Sequence, residues 1–147
     1  MKFAIGILCI LTFTFFCCCN DLESVFVSKS PVAYSFFVAG HTYGQPGIDN
    51  IGVHPSFKDK FDFIREDEVI AFGVFTGDIV LTSTEKNWDE IDSDIKLIGH
   101  PVYFSVGNHD IKDYILFESR YGKTYKSFFH NSDLIIILDP NIDNWNI

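Results

Sequence analysis

The feature that most constrains this chain is an apolar run, Val102-Tyr103-Phe104-Ser105-Val106, that ends abruptly in Gly107-Asn108-His109-Asp110. A buried strand has no packing use for a glycine followed by an amide, an imidazole and a carboxylate. In a parallel α/β sheet the loops that leave the carboxyl ends of the strands are where ligands bind. The same arrangement occurs about thirty residues earlier, where Val74-Phe75-Thr76 runs into Gly77-Asp78. A third run, Tyr34-Ser35-Phe36-Phe37-Val38, ends in Ala39-Gly40-His41. Each end carries a glycine that keeps side-chain bulk away and a residue able to ligate a metal. Together they predict one convergent site.

Upstream of these strands the chain opens as a targeting segment. Met1 and Lys2 give a positive start, and Phe3 to Phe16 is almost unbroken apolar sequence. That run is shorter than the roughly 20 residues a spanning helix needs and suits a secretory signal over residues 1–19. All four cysteines (Cys9, Cys17, Cys18, Cys19) lie in it, so neither a disulfide framework nor a thiolate zinc site is available to the folded part. The Cys17-Cys18-Cys19 run resembles a bacterial lipoprotein attachment site. Membrane attachment through a lipidated Cys19 or Cys17 is the corresponding expectation, although phenylalanines and not small residues precede it. Export to the cell envelope, periplasm or cell surface is the expectation, with an uncleaved membrane anchor as the plainer alternative reading of the same run. Residues 20–32 read as a tether, and residues 33–147 as part of one domain.

Net charge is −9 over the whole chain, with 20 acidic and 11 basic residues, and −10 without Lys2. An acidic surface repels phosphate backbones, and no basic stripe or stacked-aromatic motif occurs, so nucleic-acid binding is not expected. Acidity suits the gathering of divalent cations and ordinary solubility equally well.

Patterning fills in the elements. A strand is expected at 33–38, then a long loop over 41–50 marked by Pro46-Gly47. A helix is expected to start at Ser56, with Asp59 completing a capping box, and to place Phe57, Phe61 and Ile64 on one face. A strand at 69–75, apolar on both faces, suits a central parallel position. A helix over 86–98 puts Trp88, Ile91 and Ile95 on one stripe with its acidic residues outward, and Gly99 stops it. Strand 102–106, a short helix over 113–121 closed by Gly122, and a strand pair around Asn131-Ser132 complete the series. Strands alternating with helices predict an α/β fold.

Taken alone, the polar strand ends leave a plainer reading open, since Gly-Asp steps are common turn chemistry. Taken together, the Gly77-Asp78 step and the Gly107-Asn108-His109-Asp110 block resemble the second and third signature blocks of the calcineurin-like metallophosphoesterases. The Ala39-Gly40-His41-Thr42-Tyr43-Gly44 run is similar to an exported bacterial branch of that superfamily. The resemblance runs from about Tyr34 onward. It implies an α/β/β/α sandwich with a mixed, largely parallel sheet, two divalent metal ions (Mn, Fe or Zn) at the strand ends, and hydrolysis of a phosphate mono- or diester by metal-bound water. Asp78 would be the carboxylate shared by two dications roughly 4 Å apart. Asn108 would ligate the second metal through its amide oxygen, and His41 would be a ligand of the first. His109 would stabilise the phosphoryl oxygens or protonate the leaving alkoxide, oriented by Asp110 through its other ring nitrogen. The expected substrate is a phosphate-ester small molecule or a phosphorylated glycan or lipid.

Two departures shape these expectations. The superfamily's first block is D-x-H, whereas here Ala39 stands where the aspartate would be. The late histidine blocks have no counterpart, so the resemblance implies an incomplete sandwich, the N-terminal half of the domain, with weak metal binding and an exposed apolar sheet edge. Asp49 and Asp139 are the available substitute carboxylates. His54, His100 and His130 are expected on loops or surfaces, with His54 and His130 at most lining a substrate mouth. The alternative function is an inactive relative that binds a phosphorylated or carbohydrate ligand. A nucleotide-binding module is disfavoured, because no glycine-rich phosphate loop occurs.

Overall fold

The computed structural model describes residues 33–45 and 48–145, within a unit that spans Pro31–Ile147. The expected leader (1–19) and tether (20–32) lie outside the described residues. The described elements follow one another as β1 (Ser35–Ala39), β2 (Tyr43–Gln45), β3 (Ile48–Val53), α1 (Pro55–Lys58), α2 (Phe61–Glu66), β4 (Ile70–Thr76), α3 (Glu85–Lys96), β5 (Val102–Ser105), α4 (Tyr114–Tyr121), β6 (Lys126–His130) and β7 (Asp133–Ile137), with a 3-10 turn at Asp110–Asp113. The fold is mixed α/β, a parallel sheet with helices, in keeping with part of the expected sandwich.

The three apolar runs pair with one another. β4 lies between β1 and β5, and both pairings are parallel, with Phe37 beside Gly73 and Gly73 beside Val102. Parallel pairing brings all three carboxyl ends to the same rim. Successive side chains on a strand point to opposite faces, and β4 uses both. Phe75 joins a core with Phe37 of β1, Phe104 of β5 and the apolar stripes of α2, α3 and α4. Phe72 and Val74 turn the other way, toward Tyr103 and the β6–β7 hairpin.

On the helical face Trp88, fully buried, packs against Phe104, Phe117 and Tyr121, and its indole N–H donates to Ser83 Oγ (3.0 Å). Thr84 caps the helix start by accepting the Asn87 N–H. Asp113 caps α4 in the same way, and Gly122 closes it. On the other face the strand pair expected around Asn131-Ser132 is present as β6 and β7, which pair antiparallel with Phe128 opposite Ile135. Phe128, Ile135 and Ile137 face the sheet, where the Phe128 ring stacks on Tyr103 with centroids 4.3 Å apart. Phe129, Leu134 and Ile136 point away and are exposed, as are Phe36 and Val38 on the edge strand β1.

Three expectations are corrected. The 41–50 stretch is not a loop: β2 and β3 pair antiparallel there. Gly44, Asp49 and Asn50 erase the apolar alternation by which a strand is recognised. The helix does not start at Ser56. His54 is the N-cap, its Nδ1 accepting the Ser56 N–H (3.2 Å) ahead of Pro55, and Asp59 ends the first turn before the chain restarts as α2. Finally, Asp94 of α3 faces inward. It accepts the Val53 N–H (2.8 Å) and pairs with Lys58 Nζ (2.6 Å), which ties β3 and α1 to the helix. Helical periodicity sorts residues by face, and a buried carboxylate paired with a half-buried lysine on the inner face breaks that sorting.

Candidate metal centre

The rim of the parallel sheet is assembled by backbone hydrogen bonds between consecutive loops. His41 N–H donates to the Gly77 carbonyl (3.0 Å), Thr42 N–H to the Asp78 carbonyl (3.1 Å), and Gly77 N–H to the Ser105 carbonyl (2.7 Å). These bonds hold the ends of β1, β4 and β5 in one row. They also impose unusual backbone: His41 (φ 51°) and Asp78 (φ 53°) both lie in the left-handed region. A few per cent of non-glycine residues do so, and such strain clusters at sites that use it. Gly107 is required by closeness. A Cβ there would sit 2.4 Å from Asp78 Oδ1 and 2.5 Å from the Asp78 nitrogen, so any side chain would push the two loops apart.

His41, Asp78 and Asn108 line one cavity of about 340 Å³, with the hydroxyl-bearing Thr76 and Ser105 on its wall. His41 Nδ1 lies 3.4 Å from Asp78 Oδ2. The three candidate ligands are thus brought together, from three separate strands.

His109 is beside this group and does not line the cavity. Its Nδ1 sits 2.7 Å from the Leu81 carbonyl. A carbonyl only accepts, so Nδ1 carries the proton and Nε2 is the ring's free nitrogen. Tyr43 stands between the two histidines, its ring 4.6 Å from that of His41 and 5.7 Å from that of His109.

Asp110 does not orient His109, contrary to expectation. It is fully buried and its carboxylate is engaged elsewhere. Its Oδ1 accepts the N–H groups of Ile79 (2.7 Å) and Val80 (3.0 Å), and its Oδ2 accepts that of Gly107 (2.8 Å). The carboxylate therefore bolts the loop after β4 to the loop after β5. Burial pushes its pKa above the ordinary carboxylate value. The three backbone N–H groups oppose that rise, and the nearby Asp78 charge adds to it. The orienting partner of His109 is the Leu81 carbonyl, which no side-chain motif announces. Tyr43 is a further site residue that sequence reasoning misses; its one signal is that it follows His41 by two positions.

The other candidates lie elsewhere. Asp49 is exposed on β3. Asp139 is fully buried, with Oδ1 accepting from the Asn141 backbone and side chain and Oδ2 without a partner among the described residues; its neighbour Pro140 reaches the cavity. His100 contacts the Ile64 carbonyl (2.9 Å), and His130 packs between Tyr34 and Phe72.

Among the described residues no group of three or more His, Cys, Asp or Glu is placed to hold a metal ion. The set at the rim, one imidazole, one carboxylate and one amide, suits part of a divalent centre for hard or borderline ions. It falls short of the roughly four donors each ion of a pair requires.

The family model for calcineurin-like phosphoesterases matches residues 16–146. No curated protein and no solved structure matches the chain.

Proposed function

Because the chain belongs to the calcineurin-like phosphoesterase family, we propose that it hydrolyses a phosphate mono- or diester with the help of divalent metal held at the carboxyl ends of β1, β4 and β5. The observation that supports this most is the meeting of His41, Asp78 and Asn108 in one cavity, on loops cross-bonded through Gly77 and Ser105. His41, Asp78 and Asn108 would hold the metal, with Asp78 best suited to sharing between two ions. Bound metal supplies Lewis acidity toward the phosphoryl oxygens.

The remaining steps belong to this chain's own groups. His109, with Nδ1–H committed to Leu81, presents Nε2 as the nitrogen that hands a proton to the leaving oxygen when the ring is charged. Asp110 acts on neither substrate nor His109, and keeps the two loops at the spacing the cavity needs. Ala39 in place of a carboxylate, and the lack of a three-group His/Cys/Asp/Glu cluster among the described residues, favour a second reading: a relative that binds a phosphorylated ligand without turning it over.

Assay of the full chain on p-nitrophenyl phosphate and its bis-ester with added Mn²⁺ separates the two. The hydrolase reading expects metal-stimulated turnover that Asp78→Asn reduces about 100-fold or more and His109→Ala reduces on the order of 100-fold, the usual contribution of a positioned acid. No turnover with Mn²⁺, Fe²⁺ or Zn²⁺, in a chain shown by circular dichroism to be folded, would leave the binder.

A further inference from the structure

Tyr43 is half-buried, yet its ring belongs to neither apolar cluster of the described residues. Aromatic rings are usually buried for the apolar area they cover. This one packs instead on two imidazoles: that of His41, with centroids 4.6 Å and planes 39° apart, and that of His109, at 5.7 Å and 32°. We propose that Tyr43 is a positioning residue, whose ring between the two histidines fixes the direction in which His109 presents Nε2 to the leaving oxygen. The proposal rests on the hydrolase-site reading, in that His109 is taken as the proton donor.

His109 needs such a support. Among the described residues its ring is hydrogen-bonded only through Nδ1, to the Leu81 carbonyl (2.7 Å). A single bond anchors one corner of the ring and lets the rest swing about it, carrying Nε2 along. Misplacing a reacting group by about 1 Å can cost on the order of 100-fold in rate. Asp110, its neighbour in the chain, cannot help, because its carboxylate is engaged by Ile79, Val80 and Gly107. An aromatic ring packed against the imidazole removes the freedom that remains, since tilting would drive one ring into the other.

Tyr43 is itself held. Just before it, Thr42 N–H donates to the Asp78 carbonyl (3.1 Å), and the Thr42 carbonyl accepts the His54 N–H (2.7 Å). Across the hairpin Tyr43 pairs with Val53, which is fully buried and donates its N–H to Asp94 Oδ2 (2.8 Å). The ring therefore stands on a strand fastened to the Asp78 loop and, through β3, to α3. His41, with Nδ1 3.4 Å from Asp78 Oδ2, is its other neighbour.

The test uses the full chain at saturating Mn²⁺. It compares phenyl phosphate, whose basic leaving oxygen needs a proton, with p-nitrophenyl phosphate, whose leaving oxygen needs one less. Tyr43→Leu keeps an apolar side chain and removes the ring. Its kcat on phenyl phosphate is expected to fall about tenfold or more, and about threefold less on p-nitrophenyl phosphate. KM is expected to change by less than about twofold, as for an interaction made in the transition state. Tyr43→Phe, which keeps the ring, is expected to restore kcat to within about twofold of the parent. Adding Tyr43→Leu to His109→Ala is expected to cost nothing further, because residues that act as a unit are not additive.

A second readout needs no turnover. Nitrogen–proton NMR of the imidazoles, with His109→Ala to assign the signal, is expected to show His109 in its Nδ1–H form in the parent and in Tyr43→Phe. In Tyr43→Leu a mixture of tautomers is expected. A Tyr43→Leu loss that is the same with and without His109, or a tautomer unchanged in Tyr43→Leu, overturns the positioning role. The two readings fail separately. If no ester is turned over but Tyr43→Leu mixes the tautomers, the positioning stands and hydrolysis falls. If both esters are hydrolysed and Tyr43→Leu matches the parent, hydrolysis stands and the positioning falls. Should Tyr43→Leu not fold, Tyr43→Met carries the same comparison, and the same outcomes support or overturn the role.

Discussion

The two faces of the parallel sheet are packed to different depths. Among the described residues the helical face carries twelve buried apolar side chains, from Val53 through Trp88 to Phe117, whereas the hairpin face carries three, Phe72, Val74 and Ile137. The rim loops are rooted in the thicker side. Ile79 and Val80, directly after Asp78, and Val106, directly before Gly107, all belong to the helical cluster. The hairpin side reaches the rim chiefly through the Ser105 hydroxyl, which donates to the Leu138 carbonyl (3.1 Å), and through Pro140. What holds the site in shape is therefore the helix-side core, and the hairpin is a lighter cover.

That asymmetry is broken or sharpened first by large-to-small substitutions on each side. Trp88→Ala removes a fully buried indole and leaves the cavity it filled among Phe104, Phe117 and Tyr121; the expected loss is about 4 kcal/mol. Ile137→Ala, on the thinner side, is expected to lose about 2 kcal/mol, because a lightly covered hairpin relaxes into the space more readily. Urea unfolding of both variants checks the ranking. An Ile137→Ala loss equal to that of Trp88→Ala would mean the two faces bear equal weight.

The second comparison is between two carboxylates of the same rim: Asp78 lining the cavity and Asp110 buried behind it. Asp110→Ala would leave the N–H groups of Ile79, Val80 and Gly107 without their acceptor. Unsatisfied buried donors cost about 1–3 kcal/mol each, and partial relaxation brings the expected total to about 3 kcal/mol. Asp110→Asn is expected to recover only part of this, because one arm of the amide is a donor facing N–H groups. Asp78→Asn, by contrast, is expected to change stability by less than about 1 kcal/mol while weakening Mn²⁺ binding. Thermal unfolding paired with Mn²⁺ titration separates a residue that holds the loops from one that faces the ion. If Asp110→Asn unfolds like the parent chain, the bolt is not where these hydrogen bonds put it.

Why some of this is legible in the sequence, and some not, follows from range. The three strands announce themselves because an apolar run ending in glycine is a local pattern, and parallel pairing then brings His41, Asp78 and Asn108 to one rim. The task of Asp110 is invisible because its acceptor oxygens meet Ile79 and Val80, about thirty residues away. Adjacency to His109 in the chain suggests a partnership that the three backbone hydrogen bonds pre-empt. The true partner of His109, the Leu81 carbonyl, has no side-chain signature at all. The β2–β3 pairing is hidden by Gly44, Asp49 and Asn50, and the inward Asp94 by its place in an otherwise acidic outer stripe. Lys58, the residue that makes its burial tolerable, lies on a different helix.

The smallest effect sits one residue from a larger one. Ile136 and Ile137 are consecutive in β7, but Ile136 is 49% exposed and Ile137 is 4% exposed, because side chains alternate across the strand. Ile136→Thr keeps a β-branched side chain suited to a strand and removes apolar surface from a face that also shows Phe129 and Leu134. Its expected effect on unfolding free energy is within about 0.5 kcal/mol, as for other exposed positions. Its effect on solution behaviour is expected to be larger, since contiguous exposed apolar surface promotes association. Sedimentation velocity across a concentration series should show less self-association for Ile136→Thr, and less again for Ile136→Thr with Phe129→Thr. A loss of stability approaching that of Ile137→Ala would mean the outer face of the hairpin is packed in solution, and the contrast between the two sides of the sheet would have to be redrawn.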